Sequence, residues 1–134
     1  MKLISAWLLS LLMLTSTAAL AQESADANAV VYYNLTPALI GNLSDEGTRL
    51  KYFKADVSLR YSGPEADALV KQHEPLIRHH LVMLFSAQSS ESLNAPGGRE
   101  KLRQEALAQV QQSMTAEEGK AVVQDLLFNN LIIQ

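Results

Sequence analysis

The sequence predicts an α+β domain in which a small mixed or antiparallel sheet packs against two main helices. Three observations carry this. Residues 51–61 alternate apolar and polar side chains, residues 65–85 and 99–114 repeat apolar positions at helical spacing, and the apolar stretch 121–134 reads as a returning strand. A length of 134 residues allows one core of ordinary size and not two.

Residues 30–35 (VVYYNL) are β-branched and aromatic and stop at Thr36-Pro37, so they form a first short strand. Residues 38–43 continue past the proline as a second. Asn42, Ser44, Asp45, Glu46 and Gly47 then gather turn formers, which places a hairpin loop there. In the long strand, Phe53, Ala55, Val57, Leu59 and Tyr61 face inward, and Lys54, Asp56, Ser58 and Arg60 face water. Ser62-Gly63-Pro64 ends it. Ala66, Leu69, Val70, Ile77, Leu81 and Leu84 set the first helix, with Pro64 at its start. Pro75 lies inside that helix and is expected to kink it or split it after His73, because proline lacks the N–H donor and crowds the preceding turn.

Residues 87–98 are a connector with one short turn at 90–93. Leu102, Ala106, Leu107, Val110 and Met114 define the second helix. Thr115-Ala116-Glu117-Glu118 resembles a capping box. The following apolar residues fit a strand as well as a helix, and the strand is chosen because the long strand needs a partner. The 115–119 stretch is then expected to be a turn.

The chain begins with one basic residue, Lys2, an apolar run over 3–14 and a small polar flank ending Ala19-Leu20-Ala21. This is the pattern of an export signal cleaved between Ala21 and Gln22. The competing reading is an uncleaved anchor, since residues 3–21 carry no charge and as helix would extend about 28 Å. Residues 22–29 are small and polar and read as a flexible leader, which leaves 30–134 as the domain.

Without Lys2 the chain has 10 basic and 14 acidic residues, with no basic cluster, which argues against nucleic acid as a partner. The absence of cysteine excludes disulfides, thiolate metal sites and cysteine nucleophiles. His73, Glu74, His79 and His80 are the one cluster that invites metal or acid–base chemistry. Their spacing is not that of a zinc helix, and ordinary partly exposed histidines explain them better. Ser86, Ser89 and Ser90 lack the strand–turn–glycine frame that presents a nucleophile. Gly97-Gly98-Arg99 reads as a turn and helix start rather than an anion site, and Glu117-Glu118 as solvated charge. Asn34 and Asn42 match glycosylation acceptors only through composition. No cofactor, metal or small-molecule substrate is expected.

Several fragments, taken in order, form a recognisable pattern. They are Tyr33-Asn34-Leu35-Thr36-Pro37, Asn42-Leu43, the strand from Arg49 to Val57, His73-Glu74-Pro75-Leu76-Ile77-Arg78, and Leu84-Phe85-Ser86-Ala87-Gln88-Ser89. Gly98-Arg99-Glu100-Lys101-Leu102-Arg103 and Leu127-Phe128-Asn129-Asn130-Leu131-Ile132-Ile133-Gln134 complete them. In this the chain resembles the flagellar basal-body-associated FliL family from about Tyr33 to Gln134. The resemblance implies a periplasmic domain of stomatin/prohibitin-like (SPFH) fold, self-association into a ring, and contact with the motor stator and other basal-body proteins at the inner membrane. It further implies a non-catalytic scaffold that modulates swimming, swarming and chemotaxis. The residues that carry it, Leu35, Pro37, Pro75, Ser86, Gly98, Arg99, Leu102, Phe128 and Gln134, would be structural and not catalytic.

The front of the chain departs from the family pattern of a cytoplasmic stub, an uncleaved membrane helix and a linker. An alternative reading is therefore a soluble periplasmic adaptor of the same fold with no motor role. A hydrolase built on the His and Ser cluster is the third reading and has the least behind it.

Overall fold

The computed structural model describes residues 26–134. The expected cleavage site at Ala21 and Gln22, and the first half of the expected leader, lie outside them. The elements run β1 (Val30–Asn34), β2 (Leu39–Asn42), β3 (Tyr52–Ser62), α1 (Pro64–Ser86), α2 (Ser90–Asn94), α3 (Gly98–Glu118) and β4 (Asp125–Ile133).

Every pairing in the sheet is antiparallel, and β3 is the strand common to all of them. On one side of β3, β1 and β2 lie end to end: Tyr33 stands opposite Leu59, and Gly41 opposite Phe53. The cis Thr36–Pro37 peptide bond lies in the corner between them. β4 covers the other side, with Leu126 opposite Leu59 and Leu131 opposite Ala55. The register shifts between Asp56 and Val57, so β4 carries a bulge around Asn129.

The inward alternation of β3 is as expected. Phe53, Ala55, Val57, Leu59 and Tyr61 are buried under α1, whose Val70, Ile77, Leu81 and Phe85 form the opposing surface. Leu102, Ala106, Val110 and Met114 of α3 complete the helix layer. Phe85 sits at the junction, edge-on to Phe53 at 5.5 Å and to Phe128 at 5.7 Å between ring centroids. Tyr61 is buried, and its hydroxyl donates to Asp67 Oδ1 at 2.8 Å. Burial, then that hydrogen bond, pushes the phenol pKa upward.

Two expectations are corrected. Of the kink or split expected at Pro75, the split is overturned: α1 is one helix of 23 residues. The proline lies on the solvent face, so water can satisfy the carbonyl left without its N–H. Val70 on one side of it and Ile77, Leu81 and Phe85 on the other are held by the same core. Pro75→Ala restores the missing donor, and the expected result is a gain of about 1–3 kcal/mol in urea unfolding. A loss of stability would mean that the helix depends on the proline's shape.

The 115–118 stretch is not a turn but the last turn of α3. Thr115 Oγ1 donates back to the Gln111 carbonyl at 2.8 Å, as a mid-helix threonine does, instead of accepting as a cap. The stop comes at Gly119, left-handed at φ 74°, with its N–H on the Thr115 carbonyl at 2.9 Å. A run of helix formers and a glycine at the end outweigh the capping-box pattern.

Candidate interaction surface

The helices cover one face of the sheet and leave the other open. The side chains on that open face are the even-numbered residues of β1, β2 and β3, with Leu127, Asn130 and Ile132 of β4. An antiparallel sheet with one wet face usually carries polar residues there. Here the exposed large apolar residues Val30, Tyr32, Ile40, Tyr52 and Ile132 stand on it, and Leu50, 74% exposed, precedes Tyr52 by two. Ile40, Lys54 and Ile132 form one cross-strand row. In the next, Tyr52 and Gln134 exchange two backbone hydrogen bonds, at 2.8 and 2.9 Å. With Ile40, Tyr52, Lys54, Ile132 and Gln134 as walls, this end holds a groove of about 140 Å3.

The middle of the open face is polar. Ser58 Oγ donates to Asn34 Oδ1, and Asn129 Nδ2, turned to this side by the bulge, donates to Ser58 Oγ at 2.5 Å. The apolar material therefore lies at the two ends of the face.

Side chains reach a few backbone carbonyls on both sheet edges. At the outer edge of β4, Arg103 Nη1 donates to the Leu126 carbonyl at 3.1 Å and Arg99 Nη1 to the Leu131 carbonyl at 2.9 Å. Arg103 also binds Glu100 and Asp125. The Glu100 hydrogen bond, the largest influence, holds the guanidinium pKa above its ordinary value. On the other edge, Arg78 Nη2 donates to the Pro37 carbonyl at 2.7 Å. Its Nη1 is buried without a hydrogen bond among the described residues, 3.9 Å from Glu74. Glu74 accepts instead from the Tyr33 hydroxyl at 2.5 Å, which raises the Tyr33 pKa.

The residues singled out by resemblance are brought into the scaffold, not into one pocket. Leu35 and Leu102 are core residues, and Phe128 packs on Phe85. Pro37 is the cis proline of the β1–β2 corner, and Pro75 is exposed on α1. Ser86 ends α1, its Oγ 3.0 Å from where a Cβ on Gly41 would stand. Gly98 opens α3 after the left-handed Gly97, Arg99 clamps β4, and Gln134 extends the β3–β4 ladder.

His73 and His80 are drawn into helix-to-helix contacts. His73 Nε2 lies 2.6 Å from Glu118 Oε1, and His80 Nδ1 lies 2.6 Å from Ser113 Oγ. His79 is exposed. No group of three His, Cys, Asp or Glu suited to a metal occurs among the described residues. Ser90 is engaged with Asp45, whose carboxylate accepts from its hydroxyl at 2.7 Å and from its N–H at 3.0 Å. The hydroxyl contact chiefly holds the Asp45 pKa below its ordinary value. The same contact ties the long β2–β3 loop to the start of α2. No helix among the described residues is long and apolar enough to cross a membrane.

The family model described as "Flagellar basal body-associated protein FliL" matches residues 32–134, from β1 to the end of β4. The chain belongs to the FliL family. A curated FliL-family relative, "Flagellar protein FliL" of Aquifex aeolicus (strain VF5), is 28% identical over 104 residues, covering 78% of this chain. The chain spans 62% of that relative's length. The FliL match takes in every strand and helix described above except the first two residues of β1, and it includes the Arg99 and Arg103 contacts with β4.

Sequence reasoning missed the share of β1, β2 and β3 in the open apolar face. A signal was present: Tyr32, Ile40 and Ile132 fall at outward positions once β3 sets the alternation. Reading them needs the cross-strand register, which comes only with the fold.

Proposed function

We propose that this protein is a non-catalytic scaffold of the flagellar basal body. It is exported by its N-terminal segment, cleaved between Ala21 and Gln22, and works in the periplasm at the inner membrane. There it associates into a ring with an SPFH-like domain and engages the motor stator, modulating swimming, swarming and chemotaxis. The observation that carries the reading is the family match over residues 32–134. The structural use of these residues supports a scaffold, since Leu35 and Leu102 lie in the core, Phe128 packs on Phe85 and Arg99 holds β4. A scaffold acts by differential affinity, stabilising whichever partner conformation it binds better. The open sheet face offers a surface for such binding.

The test joins assembly to motility. The full chain is expected to co-isolate with stator proteins from membranes and to run above monomer mass by light scattering, and deletion of its gene is expected to reduce swimming or swarming. A strict monomer that recovers no motor component, with motility unchanged on deletion, would leave the periplasmic adaptor as the better description.

A further inference from the structure

We propose that copies of this chain stack head to tail, with the outer face of α1 around Met83 of one copy seated on the open sheet face at Ile40, Tyr52 and Ile132 of the next. This rests on the ring reading above and names the two surfaces that would build the ring. Four observations support it.

The first lies at the sheet edges. A sheet can extend from copy to copy by pairing edge strands, but β4 has its outward carbonyls at Leu126 and Leu131 taken by Arg103 and Arg99. The β1–β2 edge is interrupted by the corner between Asn34 and Leu39. Parts of both edges are thus obstructed, while one face of the sheet stays uncovered.

The second is where the apolar surface lies. Of the seven exposed large apolar residues among the described residues, Val30, Tyr32, Ile40, Leu50, Tyr52 and Ile132 belong to the sheet side, and the seventh is Met83 on α1, 60% exposed. Met83 stands two residues from both Leu81 and Phe85 of the core, so it points away from the sheet.

The third is the character of the helix face around it. Ala68, Gln72, Pro75, His79 and Met83 recur at spacings of three and four and are all exposed, yet include no Lys, Arg, Asp or Glu. A solvated helix face normally carries charge. This one can be covered without stripping water from an ion.

The fourth is fit. The groove of about 140 Å3 at Ile40, Tyr52 and Ile132 is a hole on one surface, and Met83 is a flexible knob on the other, able to place its sulfur against the Tyr52 ring. Lys54 lines the groove. The last turn of α1, where Met83 lies, has no basic residue, so the negative end of that helix would meet the Lys54 ammonium. Because the two surfaces are on opposite sides of a two-layer domain, the contact is heterologous, and repetition gives a closed ring or a filament.

The chain contains no cysteine, so paired cysteines report on a silent background. In the full chain, Ile40→Cys combined with Met83→Cys cannot close within one molecule, because a helix lies between the two positions. Oxidation in native membranes is expected to give a reducible ladder of dimer, trimer and larger species. Co-expression of the two single variants should give dimer alone, and each single variant by itself should stay monomeric. Unchanged thermal melts by circular dichroism would certify that the variants fold.

A dimer from Ile40→Cys alone would mean sheet meets sheet, and one from Met83→Cys alone that helix meets helix; either overturns the proposal. If a lysine-reactive cross-linker yields a ladder on the unmodified chain while the cysteine pair yields none, the ring stands and this interface falls. If neither gives a ladder, both fall. Sedimentation with vesicles of phosphatidylglycerol and phosphatidylethanolamine that is lost in Lys54→Glu, with no cysteine ladder, would assign the face to a lipid surface instead.

Discussion

Phe85→Ala is expected to lower the stability of the domain by about 3–5 kcal/mol, and its melting temperature by about 15 °C or more. Phe85 is the point at which α1, β3 and β4 meet, edge-on to Phe53 at 5.5 Å and to Phe128 at 5.7 Å. Its removal takes away the transfer free energy of a fully buried aromatic side chain. It also leaves a cavity that three elements would have to close together. A fold with one core offers no second place for them to settle. Phe85→Leu should recover much of the loss, because it keeps most of the volume and gives up the edge-on ring contacts. Urea unfolding followed by circular dichroism measures both. A loss under 1 kcal/mol for Phe85→Ala would mean that the three elements are not packed through this ring.

Gly98→Ala is expected to cost about 3 kcal/mol, at the upper end of what overpacking does. A Cβ on Gly98 would stand 1.9 Å from the Ser92 carbonyl oxygen and 3.1 Å from its carbon. Those are backbone atoms of α2, so no side chain can rotate aside. α2 must move, and Leu93, 2% exposed, leaves its seat in the core with it. The neighbouring glycine is the control. Gly97 is left-handed at φ 74° with open space around it, so Gly97→Ala should cost only about 1 kcal/mol of backbone preference. Equal effects at the two positions would show that conformation, and not close approach, selects glycine here.

Much of the scaffold was legible in the sequence because its signals were local. The alternation from Phe53 to Tyr61 is the inward face of β3, and Pro64 starts α1 where expected. Local signals failed where a distant partner decided the outcome. Pro75 looked like a break, yet the core grips the helix on both sides of it. Thr115 to Glu118 looked like a beginning and is an end, because Gly119 lies in wait beyond it. The open face was the least legible part, since Tyr32, Ile40 and Ile132 come from three strands, the last lying over 90 residues beyond the second. Nothing in their own neighbourhoods says that they share a surface.

The position of β3 between strands from both ends of the domain sets the order in which the molecule can be finished. Its first neighbours are made before it and its last, Asp125–Ile133, is made after two long helices. While synthesis proceeds, one flank of β3 stays bare and Leu59 and Ala55 wait for Leu126 and Leu131. Contacts so far apart along the chain form slowly, and a ribosome delivers the earlier partner long before the later one. Until that last segment emerges, the core cannot be sealed along this flank.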